Sequence, residues 1–351
     1  MAVKSTVKGV AASILRRLGY DVVPRRNVVC ESISELEEED AFVDSLGNRF
    51  VRLRGYRDLV KPGWRSMFEQ EPEVTDTRLR VDGAVRQVRE MTDFLGKFGF
   101  GLEGKDVLEI GCHDGRNAFA LADAGARHVD AIDIPAYGVL QGKEGEPDAL
   151  SLDRQSQRLS EMRAIAAESF KNKDPEEKVA FYDLDVTEME KDSAYDLIVS
   201  WETLEHIADP AWAMARMYRA LRPGGLSFHE YNPFYSLEGG HSLCTLDFPY
   251  GHARLSEADF ERYVRRYRER ELGVSMNFYR RCLNRMTIRD LNDFCFDAGF
   301  EILALCPWND DECLRLIDRD VLNQCRKLKP NLMINDLLSG RVWVLMRKPV
   351  G

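Results

Sequence analysis

The fold is decided by residues 107–115, VLEIGCHDG, in which an apolar run is followed by two glycines four residues apart. The run predicts a buried strand that breaks into a tight turn at Gly111. The apolar periodicity of residues 117–122, NAFALA, predicts a helix after the turn. A glycine turn lets backbone approach a ligand, and the helix start supplies N–H groups without an intrahelical partner. The stretch therefore predicts a ligand-binding strand–turn–helix unit.

Four further strands are predicted downstream, and the first two of them end on acids. Asp133 comes about twenty residues after the glycines, where a carboxylate can bind both hydroxyls of a ribose. Asp185 ends the next strand in the same way. Acids at the strand ends predict an α/β fold with a ligand site at one sheet edge. The strands are residues 128–133, 179–186, 195–200 and 226–230, with WETLEH at 201–206 and the turn RPGG at 222–225.

This order resembles that of the class I S-adenosylmethionine (SAM) dependent methyltransferases, from Lys105 to the C-terminus apart from two insertions. It departs from the family at His113, where many members carry a third glycine. The resemblance implies SAM as cofactor and a Rossmann-like sheet with helices on both faces. A dinucleotide-binding domain is the alternative, and the third acid and the Pro-Gly-Gly turn disfavour it. The resemblance assigns to SAM the residues Glu109, Gly111, Gly115, Asp133, Asp185 and Val186.

The composition is that of a soluble globular protein, with 351 residues of which 44% are hydrophobic and 31% are charged. No apolar run approaches the roughly 20 residues that span a bilayer. The eight cysteines form no C-x-x-C pair and the N-terminus lacks a secretory signal, which predicts reduced thiols and a cytoplasmic protein. The net charge of -10 disfavours broad binding to nucleic acid and leaves only a local basic patch for it.

Residues 1–80 are predicted to form an N-terminal extension, and residues 81–351 the methyltransferase domain. Residues 3–18 have the apolar periodicity of an amphipathic basic helix. Such a helix either contacts an anionic membrane surface or packs on protein, and its shortness and lack of aromatic anchors favour packing. The acidic run 35–40 predicts a solvated helix face or linker. Residues 41–77 are expected to be a lid or simple packing.

Two insertions are predicted within the methyltransferase domain, at about residues 232–285 and 309–340. The first lies where the family usually proceeds quickly to a helix and a final antiparallel strand pair. Its aromatic and histidine content argues against disorder. We expect it to bind the methyl acceptor, with a packing elaboration or a dimer surface as the alternative. The residues that support this interpretation are Tyr231, Phe234, Tyr235, His241, Phe248, Tyr250 and His252.

The segment Glu202-x-x-Glu205-His206 is the strongest candidate for catalysis, because it follows the fourth strand at the expected ligand edge. If the segment were one helical turn, its two carboxylates and imidazole would share a face and suit a divalent metal such as Mg²⁺. The pattern resembles the coenzyme Q biosynthesis O-methyltransferases and the small-RNA 3′-terminal ribose methyltransferases. The latter add a later histidine, a position that His252 resembles and for which His241 competes.

A metal-free site is the alternative, because Leu-Glu-His is frequent in methyltransferases that bind no metal. In that case His206, His241 or His252 is the candidate base. The leading functional prediction is a SAM-dependent O-methyltransferase of a hydroxylated small molecule, with a sugar or a glycosylated natural product as first guess. The alternatives are an RNA-modifying methyltransferase and a non-catalytic SAM-fold binding protein. Retention of both Asp133 and Asp185 disfavours the last of these.

Overall fold

The computed structural model of the protein describes residues 32–64, 76–134, 136, 148–170 and 177–350. The strands are β1 (Glu38–Val43), β2 (Arg49–Leu53), β3 (Asp106–Ile110), β4 (His128–Asp133), β5 (Val179–Asp183), β6 (Tyr195–Trp201), β7 (Leu221–Tyr231), β8 (Glu301–Asn309) and β9 (Ser339–Arg347). The helices are α1 (Tyr56–Val60), α2 (Asp76–Gly96), α3 (Arg116–Asp123), α4 (Ala149–Glu168), α5 (Pro210–Ala220), α6 (His241–Cys244), α7 (Gly251–Arg254), α8 (Glu257–Tyr267), α9 (Leu272–Asn277), α10 (Ile288–Ala298), α11 (Arg319–Leu328) and α12 (Ile334–Leu338).

Seven strands form one sheet in the order β5-β4-β3-β6-β7-β9-β8. The first five of these pair in parallel, whereas β9 is antiparallel to both β7 and β8. The chain leaves β3 toward β4 on one side and later returns to β6 on the other. The strand order therefore reverses beside β3, and ligands bind at such a point, outside the carboxyl ends of the strands. The predicted Rossmann-like class I methyltransferase sheet is confirmed.

Helices cover both faces of this sheet, as predicted, because the inner strands are apolar on both sides. One face packs against α2, α3 and α4, around side chains such as Met91 and Leu121. The opposite face packs against α5 and α10, around Met214 and Leu291. The glycine turn after β3 is thereby held between two close-packed layers.

A third apolar core lies outside these two layers and joins distant parts of the chain. The β1–β2 hairpin contributes Phe42 and Phe50, the residues flanking it contribute Ile33, Tyr56 and Val60, and both predicted insertions contribute the other side chains, including Phe248 and Val321. Phe50 stacks on Phe248 with ring centroids 5.0 Å apart. The N-terminal hairpin and the insertions therefore form one packed unit, which we call the insertion core.

The acidic run 35–40 was expected to be a solvated helix or linker, and this prediction was wrong for its second half. Residues from Glu38 onward form β1, which pairs with β2. Arg52 on β2 contacts Glu39 and Asp40, and Arg54 just after β2 also contacts Glu39, so these arginines balance the acidic charge of β1. The predicted amphipathic helix at 3–18 and part of the predicted lid, residues 65–75, lie outside the described residues. None of the described helices is long and apolar enough to cross a membrane.

Candidate active site

The turn after β3 requires glycine at both predicted positions. Gly111 has φ 77° and Gly115 has φ 73°, in the left-handed region. A Cβ on Gly111 would lie 2.2 Å from Oγ1 of Thr203, and a Cβ on Gly115 would lie 2.6 Å from the ring of Phe181. His113 takes the place of the family's third glycine and also adopts a positive φ, 43°. The turn thus keeps its shape without the third glycine.

Glu109 and Asp133 lie on either side of this turn. Glu109 is buried, and no hydrogen-bond partner for its Oε2 occurs among the described residues. Burial raises the pKa of Glu109 well above its usual value, and the charges of nearby Asp114 and Asp133 add to the effect. A buried carboxyl oxygen in this state suits a donor group on a ligand. The Asp133 carboxylate accepts the backbone N–H groups of His113 at 2.6 Å and Ile134 at 2.7 Å.

Asp185 lies just beyond β5, where it caps a short 3₁₀ helix, Val186–Glu188. Its Oδ1 accepts the backbone N–H of Thr187 at 2.8 Å and the Thr187 hydroxyl at 2.7 Å. Val186 is buried behind this cap. The six residues assigned to SAM from the sequence therefore lie on or just beyond the carboxyl halves of three neighbouring strands, β3, β4 and β5.

The Glu202-to-His206 segment does not form the single helical turn that was expected. The chain turns at Glu202 with φ 51°, and only Leu204–His206 is helical, as one 3₁₀ turn. Glu202 is exposed, and its carboxylate does not belong to the cluster formed by its neighbours. Glu205 and His206 instead meet His241 from the first insertion, with one ligand atom of each within 4.8 Å of the others.

Glu205 and His206 are held by backbone groups at the ends of the first insertion. Glu205 Oε1 accepts the N–H of Asn232 at 3.1 Å, and burial raises the pKa of Glu205 to about 8. His206 Nδ1 donates to the carbonyl of Cys282 at 2.5 Å. Burial lowers the pKa of His206 to about 4, so the ring is neutral near pH 7 and its Nε2 carries the lone pair.

His241 approaches His206 with ring centroids 5.0 Å apart, on a strained backbone with φ 51°. Burial and the neighbouring His206 lower the pKa of His241 well below its usual value. His252 has a different place: its Nε2 donates to the carbonyl of Phe234 at 2.8 Å, and its ring packs against Gly240. Of the two competing histidines, the structure brings His241 and not His252 to the cluster.

The cluster fits a divalent ion. Two of its polar atoms, Oε2 of Glu205 and Nε2 of His241, are buried and have no hydrogen-bond partner within the described part of the chain. A carboxylate and two neutral imidazoles are ligands of Zn²⁺, Mn²⁺ and related ions. The residues that would hold the ion are thus Glu205, His206 and His241, in place of the set Glu202, Glu205, His206 and His252 expected from spacing.

Asn284 was missed by sequence reasoning. Its side-chain amide donates to the carbonyls of Leu204 at 2.6 Å and Ile207 at 2.9 Å, and its backbone N–H donates to the Glu205 carbonyl at 2.8 Å. No sequence pattern marks this role, because all three bonds to the turn are made to backbone carbonyls. Asn284 fastens the end of the first insertion to the 3₁₀ turn of the cluster.

The first insertion also borders a cavity of about 160 Å³ that His252 helps to line. Tyr250, expected to contact the acceptor, is buried in the insertion core and its hydroxyl donates to the Leu337 carbonyl at 3.3 Å. The cavity is lined by Phe234, Tyr235, His252, Ala253, Leu255, Ser256, Glu257, Tyr279, Arg285 and Leu328.

Comparisons with known proteins place the chain in a family. The profile of the family described as "Methyltransferase domain" matches residues 83–305. A ubiquinone biosynthesis O-methyltransferase of Aromatoleum aromaticum is 29% identical over 180 residues, which are 51% of this chain and 60% of that protein. Phosphoethanolamine N-methyltransferase 2 of Caenorhabditis elegans is 29% identical over 137 residues, 39% of this chain and 26% of that protein.

A solved structure of a SAM-dependent methyltransferase from Mesorhizobium loti aligns with 76% of this chain and 99% of its own, at 14% identity and a TM-score of 0.43. The chain spans 60% or less of the two curated relatives described above. The family profile, in contrast, covers more than half of this chain and includes the glycine turn and both strand-end acids. With the sheet order β5-β4-β3-β6-β7-β9-β8, this match shows that the chain belongs to the class I SAM-dependent methyltransferase family.

Proposed function

We propose that the protein is a SAM-dependent O-methyltransferase of a hydroxylated small molecule. The observation that carries the proposal is the cluster of Glu205, His206 and His241. It lies next to the cofactor turn in the chain: Thr203, two residues before Glu205, donates its hydroxyl to the Ile110 carbonyl and packs over Gly111. An acceptor bound at the cluster would thus be close to the methionine end of SAM.

Methyl transfer from a sulfonium mainly requires that acceptor, methyl and sulfur be aligned and held close. A hydroxyl acceptor must also lose a proton, and the neutral ring of His206 offers a lone pair for it. Glu205, His206 and His241 would hold a divalent ion, which when bound lowers the pKa of a coordinated hydroxyl. In either case the buried cluster keeps the reacting oxygen away from bulk water.

The first guess for the acceptor remains a sugar or a glycosylated natural product, because a vicinal diol suits either form of the cluster. RNA is the second candidate, motivated by the Glu-x-x-Glu-His pattern, and the net charge of -10 counts against it.

The test is formation of S-adenosylhomocysteine with a panel of sugars, glycosides and phenols. Replacement Glu205→Gln, His206→Asn or His241→Asn should reduce turnover by about 10²–10⁴-fold, because each removes a group that either accepts the acceptor proton or holds the ion that lowers the pKa of the hydroxyl. SAM affinity measured by calorimetry should stay unchanged. Glu301→Gln is the matched control, because its carboxylate is exposed, pairs with Arg347 and lies outside the cluster.

Chelation and elemental analysis test whether the activity depends on a divalent metal. Loss of activity in EDTA that Mn²⁺ or Mg²⁺ restores supports the ion. Activity that survives exhaustive chelation, with no metal in elemental analysis, leaves histidine as the base. Methyl transfer to amines but to no hydroxylated acceptor contradicts O-methylation, and failure to bind SAM contradicts the whole proposal.

A further inference from the structure

Two side chains of α5 hold the loop that carries Asp185 and Val186. Trp212 donates its indole N–H to the carbonyl of Thr187 at 3.0 Å. Arg216, one helical turn later, donates its Nε to the same carbonyl at 3.1 Å and stacks on the Trp212 ring at 4.7 Å. We call this arrangement the Thr187 clamp. It lies outside the residues assigned to SAM.

The clamp completes a set of bonds that fixes the loop from both sides. The N–H and hydroxyl of Thr187 point to Asp185, while its carbonyl accepts the two donors of α5. A 3₁₀ helix of three residues has little stability of its own, so these bonds decide its conformation. Trp212 is itself fixed, because its backbone N–H donates to the capping carboxylate of Asp209 at 3.0 Å.

Apolar packing alone does not explain why a tryptophan lies at this half-exposed position. Its side chain is 48% exposed, although its donor is used and its face is covered by Arg216. Trp212 therefore gains only part of the stabilisation that a fully buried tryptophan gains from removing apolar surface from water. The specific consequence of the geometry is the orientation of the Thr187 carbonyl, and with it that of Asp185.

We propose that Trp212 and Arg216 are positioning residues for the adenine half of SAM. The clamp holds Asp185 and Val186 in their binding conformation before the cofactor arrives, which reduces the ordering that binding requires. The proposal rests on the assignment of SAM to this site. It adds a role for two residues of α5 that lie outside the set assigned to SAM.

The experiment measures the dissociation constants of SAM and of 5′-methylthioadenosine by calorimetry on the full chain. Trp212→Phe keeps the ring and removes the donor, and Arg216→Met keeps the stem and removes the guanidinium. Each variant should weaken SAM about three- to tenfold, the usual effect of one lost hydrogen bond. Both ligands should weaken by the same factor, because both carry the adenosine that the loop binds.

Two controls separate positioning from general damage. Arg219→Met removes an exposed arginine of the same helix that pairs with Asp192, and Trp308→Phe alters another exposed tryptophan; both should leave the two constants unchanged. Arg216→Lys, which restores a donor, should recover part of the affinity. A lowered melting temperature with unchanged constants, or a loss confined to SAM, would overturn the positioning role. Wild-type protein that binds neither ligand would instead overturn the cofactor assignment itself.

Discussion

At the scale of single residues, both the backbone conformation and the surrounding atoms require glycine at position 111. Its φ of 77° disfavours any side chain, and the hydroxyl of Thr203 occupies the place of a Cβ. The strand before it ends at Ile110, whose carbonyl accepts that hydroxyl at 3.3 Å. One glycine thus allows the cofactor turn and the segment leading to Glu205 to lie in contact.

Gly111→Ala is therefore expected to weaken SAM strongly and to lower the free energy of unfolding by about 2–4 kcal/mol, the sum of backbone strain and a steric clash. Gly99→Ala is the matched control, since Gly99 has φ 76° and nothing within 4 Å of the added Cβ. The loss of stability in Gly99→Ala measures the backbone strain alone, which we expect to be the smaller part of the loss in Gly111→Ala. Thr203→Ala added to Gly111→Ala should recover some stability. Chemical denaturation and calorimetry measure both effects, and equal losses for the two glycines would contradict the clash.

At the scale of elements, the first insertion acts on the catalytic turn through Asn284. Replacing Asn284 by alanine removes the amide bonds to the carbonyls of Leu204 and Ile207. We expect turnover to fall about tenfold while SAM affinity stays unchanged, because a small displacement of Glu205 costs alignment and not cofactor contacts. Asn331→Ala is the control, since that amide donates to Asp290, which is not a member of the cluster. Steady-state kinetics with the identified acceptor give the answer; a parallel loss of SAM affinity would show that the effect is not local.

Elements that rest on short-range patterns were predictable from the sequence. The strand-end acids, the glycine turn and the helix predicted from residues 117–122 depend on spacing and apolar period, and each lies where it was expected. The departures come from long-range pairing. β1 was missed because its acids are balanced by Arg52 on β2 and by Arg54 just after that strand. The choice of His241 over His252 depends on the path of an insertion that no periodicity describes.

At the scale of the whole molecule, the insertion core is packed separately from the two layers around the sheet. Phe50→Ala removes a buried ring that stacks on Phe248 and lies under Arg254. We expect it to cost about 3–5 kcal/mol of local stability. Hydrogen exchange should show lost protection in residues 241–282 and retained protection in β3 and β6. The comparison variant Phe119→Ala, in the sheet layer, should show the reverse, and uniform loss in both would mean that the cores unfold as one.

The separation in sequence between the hairpin and its partners bears on how the protein is made. The hydroxyl of Ser45 bonds to Asp259, 214 residues further along the chain. A ribosome adds roughly 5–20 residues per second, so about 10–40 s pass between the synthesis of the two. During that interval Phe42, Phe50 and an unpaired strand edge of the nascent chain are open to other nascent chains. We therefore expect the yield of native protein to depend on whether Asp259 is synthesised before neighbouring hairpins aggregate.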